Sequence, residues 1–600
     1  MKQAPRIRPL VLSVQLALTA FVPAAYASQI LEDSGHTIVD GREFDTGTET
    51  RLAGIAMLAS GSGQLKGENV TARSGGELVT TVTALQGGQI ELSQSNVWAT
   101  GQGSWSVVAY DAGRVTLVDS LIEASGGEGH AVVAQKGGIA SLDGSRAHSA
   151  LGIAALAMGT GSTLTASDTD FANDVDGYAT VSALDGGQVS LAGGTVAALG
   201  AAAAVMAEGE ASSVAAQRTI IKSTANSSGT ATSGGAVALG GGKVKLDGVA
   251  VSTEGTDASA LVAQGAGSRL DAIDSQVDTS GAGSMGADAR NGGTIALQDT
   301  NVHTTGGDAV GGCAYGVGSS VTTKGGSITT AGPSTYGASA YNEGSVLLDG
   351  TAVTTQGAYS SAVAAGGGGT AVVQSAVLAT TGEYADGVAV YSTGKAEATD
   401  SKITTSGANA YGVYADGGPA LLSNTSIETA GDYAAGLGAS RAEGRIEATD
   451  NTVNTHGIPA YAAHAYDEGV VTIDKSQLAT HGEYAHGLIA TDGGSLRIAD
   501  SSVTTDGAMA HGGMVSWGGQ LHMSDSGITV SGDDAAGIIA SGPEARVGAG
   551  RTTVLVSGEG DAAVGVMVMS GATARLADGS SVTVEGSGRY NHAVAVRSTL

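Results

Sequence analysis

The chain has 600 residues, with 57 Asp+Glu against 28 Lys+Arg, 97 glycines, 16 tyrosines, three phenylalanines and one cysteine. A formal net charge of −29 leaves no basic footprint for nucleic acid, and a single cysteine excludes any disulfide framework within the chain. The acidic excess keeps a long glycine-rich surface soluble, while regular Val/Ile/Leu spacing argues against disorder.

Residues 1–27 read as a secretory signal. Lys2, Arg6 and Arg8 form a basic start, Leu10 to Val22 is apolar but short for a bilayer span, and Ala25-Tyr26-Ala27 is a small-residue cleavage site. Residues 28–65 lack a clean repeat and are expected to form an N-terminal cap, since an open terminal coil of a repeat array exposes strand edges. Glu32-Asp33-Ser34-Gly35-His36 has the letters of a serine nucleophile motif, but no globular domain surrounds it to supply a triad.

A repeat of about 25 residues occupies 66–600. Its landmark is a β-branched run closed by glycine, as in Val353-Thr-Thr-Gln-Gly357, Leu378-Ala-Thr-Thr-Gly382, Ile403-Thr-Thr-Ser-Gly407 and Val503-Thr-Thr-Asp-Gly507. The same frame is weaker upstream, at Val70, Val97 and Leu121, and blurs between Ala201 and Gly235, which is either a degenerate coil or a looped insertion. Each repeat holds three short extended stretches separated by turn residues, and a fixed period of this size means a solenoid. The expected fold is all-β, a right-handed parallel β-helix with three short strands per coil. About twenty coils at ~4.8 Å each give a rod roughly 100 Å long, read as one elongated domain.

Columns appear when the repeats are aligned. Val353, Leu378, Ile403, Ile427 and Val453 should form a core ladder, while Ala385, Ala410 and Ala434, followed two residues later by Gly387, Gly412 and Gly436, suit a tight inner corner. Asp119, Asp143, Asp247, Asp274, Asp349, Asp400, Asp450, Asp500 and Asp525 each end an apolar strand and read as Asx-turns rather than calcium ligands. Tyr359, Tyr384, Tyr433 and Tyr484 share a column two residues after the repeat glycine, with Tyr336, Tyr411 and Tyr461 two residues further on. Both tyrosine columns should face outward, either binding sugar rings or protein or stacking on each other. His456 and His481 share one column; His486 and His511 share another with Asp386, Tyr411 and Tyr461. Two histidines are too few for a zinc site and read as solvated ladder residues. Cys313 reads as a small buried residue.

The cleavable signal, the cysteine-poor body and the glycine-rich T-x-G-x-x-A-x-G repeat resemble pertactin-like autotransporter passengers of Gram-negative bacteria, over roughly residues 28–600. The resemblance implies type V secretion: passage through the periplasm, export through an outer-membrane β-barrel translocator, and folding at the outer surface as an adhesin or virulence factor. Its partners would be a host-cell surface protein or glycan. The family's C-terminal barrel should show a dozen alternating strands with aromatic girdles; these residues contain none, so the chain reads as lacking it, with the translocator expected downstream or supplied by a separate partner. No catalytic, metal or cofactor residues are assigned and the chain is read as a non-enzyme. The competing class is a β-helical polysaccharide lyase or hydrolase.

Overall fold

The computed structural model describes residues 29–600, apart from 201, 225, 227–232, 559–562, 578, 586–590 and 598–600. The predicted signal therefore lies outside the described residues. Among the described residues the chain is all-β apart from one short 3-10 turn, Arg51–Gly54, and forms about 22 parallel coils with three strands per turn, a β-solenoid. It divides into two compact units, Met1–Ser284 and Met285–Leu600.

In unit 1 a representative coil is Val132–Gln135, Ile139–Asp143 and Arg146–Ser149. Its strands pair in parallel with Ala155–Met158, Thr163–Ser167 and Asp170–Asn173 of the next coil. The expected cap region contains a coil of its own: Ile30–Glu32, His36–Ile38 and Glu43–Asp45 pair with Met57–Ser60, Gln64–Glu68 and Thr71–Ser74. The blurred stretch is a coil, not a separate lobe. Ala203–Glu208, Ser213–Gln217 and Ile220–Ser223 keep the parallel register, but Ile220 pairs with Ala250, 30 residues on, where Thr195 pairs with Ile220, 25 residues on. The added residues fall after Ser223, so the pattern slips without breaking the ladder.

In unit 2 a representative coil is Val388–Tyr391 in the first sheet, Lys395–Thr399 in the second and Lys402–Thr405 in the third. Alternation sends Ile403 and Thr405 inward and Lys402 outward, giving an exposed–buried–intermediate–buried pattern that recurs through the third sheet. Ile403 pairs with Leu378 on one side and Ile427 on the other. The core ladder predicted from the repeat is thus continuous and buried, each aliphatic side chain contributing about 1.5–3 kcal/mol by leaving water.

The glycine column explains itself against that ladder. A Cβ on Gly387, Gly412 or Gly436 would run into Ile403, Ile427 or Val453 across the interior of the same coil. Two columns found separately in the sequence are therefore one packing contact.

The aspartate column is corrected in its atoms. Asp119, Asp274, Asp400, Asp450, Asp500 and Asp525 sit in the left-handed region (φ between 46° and 58°), whereas Asp143, Asp247 and Asp349 end their strands and the following glycine takes that conformation instead. The corner demands a left-handed residue, which Asp, Asn and Gly supply most readily. The hydrogen bonding expected of the carboxylate falls to the next residue. Ser120 Oγ accepts the Ser95 N–H of the previous coil at 3.1 Å and donates to the Val118 carbonyl at 2.8 Å. Ser501 Oγ likewise accepts from Ser476 N–H at 3.0 Å. A buried hydroxyl ladder, not a row of Asx-turns, ties successive corners together.

Candidate binding surface

The third-sheet threonine closes the turns that display Tyr359, Tyr384 and Tyr484. Thr380 Oγ donates to the Ala385 carbonyl at 2.6 Å, Thr480 Oγ to Ala485 at 2.7 Å and Thr505 Oγ to Ala510 at 2.9 Å. Each bond closes a five-residue loop through the repeat glycine and the exposed tip. Thr380→Val leaves a buried carbonyl without its partner, and is expected to lower stability by about 1–3 kcal/mol. Hydrogen exchange at Tyr384 should quicken in the same variant; protection equal to wild type would mean that the hydroxyl does not hold the turn.

The tip residue lies in the left-handed region: φ is 57° at Tyr359, 55° at Tyr384, 58° at Tyr433 and 57° at Tyr484. The expectation that these tyrosines face outward by strand alternation is corrected here. They face outward because a left-handed turn aims them away from the coil, and they are 60%, 43%, 61% and 45% exposed. The turns form a ladder of their own: Tyr359 N–H donates to the Glu383 carbonyl at 2.8 Å and Tyr384 N–H to Ala408 at 2.9 Å. Tyr359 and Tyr384 stack at 5.0 Å with planes 3° apart. Among the described residues no ring stacks on Tyr433 or Tyr484, because the same position between them is Pro459 and between Tyr384 and Tyr433 is Asn409. Mutual stacking accounts for one pair, not for the column.

The second tyrosine column departs further from expectation. Tyr336, Tyr411 and Tyr461 are half-buried against the outer face of the first sheet rather than projecting from it. Tyr411 stacks on Tyr414 at 4.9 Å, and Gly438 leaves the space its ring fills, since a Cβ there would meet that ring. The Tyr414 hydroxyl lies 2.9 Å from that of Tyr466 and 3.0 Å from Ser440 Oγ, which donates to Asp416 at 2.9 Å. Burial pushes the phenols of Tyr341, Tyr391, Tyr411 and Tyr414 above their ordinary range, so all stay neutral.

The same column holds His486, His511 and Asp386. His486 and His511 stack at 4.8 Å, with Tyr461 parallel to His486 at 6.0 Å. His486 Nδ1 accepts the backbone N–H of His511 at 3.0 Å, and His511 Nδ1 accepts that of Ala536 at 3.0 Å. Asp386 Oδ1 accepts the Tyr411 N–H at 2.8 Å in the same way. These groups are inter-coil links, not the solvated residues expected. Burial lowers His464, His486 and His511 to about 4 and raises Asp386 to about 7.

Other sequence candidates separate cleanly. Ser34 Oγ bonds Asp33 at 3.1 Å rather than His36, and Glu32 closes that turn by accepting from Gly35 N–H and Thr37 Oγ. His456 and His481 do stack, at 5.0 Å, and His481 Nδ1 lies 2.8 Å from Asp506. Among the described residues no three His, Cys, Asp or Glu side chains converge as a metal site would need. Cys313 is buried and its thiol is pushed up to about 11 by that burial.

Twelve of the sixteen tyrosines lie between Tyr315 and Tyr484, and all twelve sit on a first-sheet strand or on the turn leading into one. Tyr341, Tyr391, Tyr414, Tyr466 and His464 escaped the sequence reading. They recur seven or nine residues after the repeat glycine, so extending the column alignment past its fifth position finds them. Trp517, 72% exposed on the turn leaving the first sheet, has no such column.

No protein-family profile matches the chain, and no curated protein matches it in sequence. Among solved structures it is similar to the cryo-EM structure of the Vag8–C1 inhibitor complex, at 18% identity over 88% of this chain and 99% of that one, with a TM-score of 0.37. No residue role passes from one chain to the other at that level of likeness.

Proposed function

We propose that this chain is an exported autotransporter passenger of the pertactin-like kind, presented at the bacterial outer surface as an adhesin, with a host-cell surface protein or glycan as its partner. The observation that carries the reading is the one-sided aromatic surface of unit 2. At other turn tips of the column stand Asp257, Asp308, Asn409 and Asp534, residue types a left-handed position favours, beside Ser334 and Met509. Tyrosine there costs about 1 kcal/mol of backbone strain and recovers little by burial. Four such tyrosines are better accounted for by what their rings do at the surface than by what they do for the fold.

The mechanism is multivalent. Each tyrosine offers apolar area and a hydroxyl, and a row of weak contacts on a stiff ladder adds avidity that no single contact has. The non-enzymatic reading and export through a β-barrel translocator belong to the same proposal. Support comes from the repeat architecture, the signal-like N-terminus and the freedom of the chain from internal disulfides, which eases passage unfolded.

The test is Tyr359→Asn, Tyr384→Asn, Tyr433→Asn and Tyr484→Asn combined, asparagine being already tolerated at Asn409 with a φ of 57°. Attachment of purified protein to epithelial cells should fall by at least about tenfold, since exposed tyrosine anchors contribute on the order of 1–2 kcal/mol each. Undiminished attachment by a variant with wild-type circular dichroism and melting would remove the tyrosines from binding.

A further inference from the structure

The turn ladder of unit 2 alternates with a period of two coils. Glu383-Tyr384, Asp432-Tyr433 and Glu483-Tyr484 each put a carboxylate beside the displayed ring. The two coils between them put Ala408 and Ile458 at the carboxylate position, and the coil after the last pair puts Ala508 there. Backbone bonds fix the spacing: Asn409 N–H donates to the Asp432 carbonyl at 2.8 Å, Tyr433 N–H to Pro459 at 2.7 Å and Tyr484 N–H to Ala508 at 3.0 Å. One coil rises about 4.8 Å, so the acid–tyrosine pairs recur about every 9.6 Å. All six side chains of these pairs are exposed. Glu383 and Glu483 have no ion pair among the described residues, and Asp432 gives one oxygen to the Ile458 N–H at 2.9 Å, leaving the other to solvent.

We infer that this ladder is a docking track for an extended cationic peptide in the polyproline II conformation, carrying Lys or Arg at every third position. The inference rests on the reading of the tyrosines as a contact surface and names their partner. Polyproline II has three residues per turn and rises about 3.1 Å per residue, so every third side chain returns to one face after about 9.3 Å. That matches the two-coil step to within a few tenths of an ångström, which flexible side chains absorb. An extended β-strand returns to one face every two residues, about 6.7 Å, and falls out of phase after one contact.

The chemistry of each pair suits a cation. A guanidinium or ammonium beside the carboxylate makes a charge-assisted hydrogen bond, and its alkyl stem and charge lie against the tyrosine ring. The apolar residues between pairs face the prolines that a polyproline II ligand carries between its cations. A net charge of −29 draws a basic partner in and repels an acidic one. The ligand conformation is preformed and its ordering cost is low, so a few weak contacts suffice.

Direct binding of the full chain to a fluorescent peptide of Pro-Pro-Arg repeats tests the inference. The comparison peptides have the same composition with irregular arginine spacing, or glutamate in place of arginine. The regular peptide should bind at least about tenfold more tightly than the irregular one, and salt should weaken it. Combining Glu383→Gln, Asp432→Asn and Glu483→Gln should remove that preference while leaving melting unchanged. Equal affinity for regular and irregular peptides overturns the inference. So does displacement of the peptide by a neutral β-linked oligosaccharide that binds the carboxamide variant as well as wild type, since the track would then recognise glycan. Cell attachment measured in parallel separates the two proposals. If the regular peptide shows no preference but the tyrosine variant still loses attachment, the track fails and the adhesin reading stands. If the peptide binds as expected but attachment ignores the tyrosines, the adhesin reading fails and the track stands.

Discussion

Gly407→Ala should destabilise unit 2 by on the order of 3 kcal/mol or more. The repeat glycines stack so tightly that a Cβ on Gly407 would run into the carbonyl of Gly382 in the preceding coil, and into backbone rather than a movable side chain. The same clash recurs at Gly382, Gly431, Gly457, Gly507 and Gly532. Relief requires the two coils to part, and parting them stretches the flanking bonds from Ser406 N–H to the Thr380 carbonyl at 3.0 Å and from Tyr384 N–H to the Ala408 carbonyl at 2.9 Å. In a stacked array the damage is local at first, because each coil touches only its neighbours. Hydrogen exchange around 378–410 should therefore rise before global unfolding shows in circular dichroism. Gly527→Ala is the control: its Cβ would meet nothing within 4 Å, and adding a methyl at this first residue of a strand should change stability by no more than about 0.5 kcal/mol. Equal melting of both variants would show that the glycine column reflects composition rather than close approach.

Acidification from pH 6.5 toward 4 should destabilise unit 2 steeply, through His464, His486 and His511. An unfolded histidine titrates near 6.5, whereas burial holds all three at about 4, His511 lowering His486 further and Asp492 opposing the shift at His464. Between those values the unfolded chain binds more protons than the folded one. Stability is therefore intact above 6.5 and falls as the pH drops through the window, by on the order of 2 kcal/mol per histidine. Geometry makes the same demand independently. His486 and His511 each use Nδ1 as an acceptor for a backbone N–H of the next coil, and a doubly protonated ring has no acceptor to offer. Asp386 works in the opposite sense. Its carboxyl is raised to about 7 by burial, against the Tyr411 N–H that favours the charged form, so its contribution is full below about 3.8 and lost as the pH rises through 7. Three histidines outweigh one aspartate, and the net acid limb is a loss. Urea unfolding between pH 7.5 and 4.5 measures it. His486→Gln with His511→Gln keeps an acceptor in place but nothing that titrates, and should flatten most of the decline; an unaltered decline in that variant would assign the acid sensitivity elsewhere.

The Val/Ile/Leu column, the repeat glycine and the Ala-x-Gly pair were legible in the sequence because each is a core position repeated at one spacing. A period of about 25 residues can be satisfied only by stacking, and stacking makes every column a ladder, so three strands per coil and the identity of the inner residues follow from one dimension of information. The aromatic side of unit 2 was half legible. The columns of Tyr384 and Tyr411 stand out in an alignment of repeats, but their directions do not. Tyr384 projects because its φ is 55°, and Tyr411 lies down because Gly438, a coil away and seven residues past its own repeat glycine, leaves room for the ring. Likewise Asp400 and Asp349 look equivalent as letters, yet the corner falls on Asp400 in one coil and on Gly350 in the other. The sequence alone determined which residues recur and hence which stack. Only the tertiary structure decided where each side chain points, which atom of Ser120, His486 or Thr380 closes a bond, and how much water it keeps, because these depend on turn dihedrals and on the neighbouring coil, neither of which is written in the spacing of a single repeat.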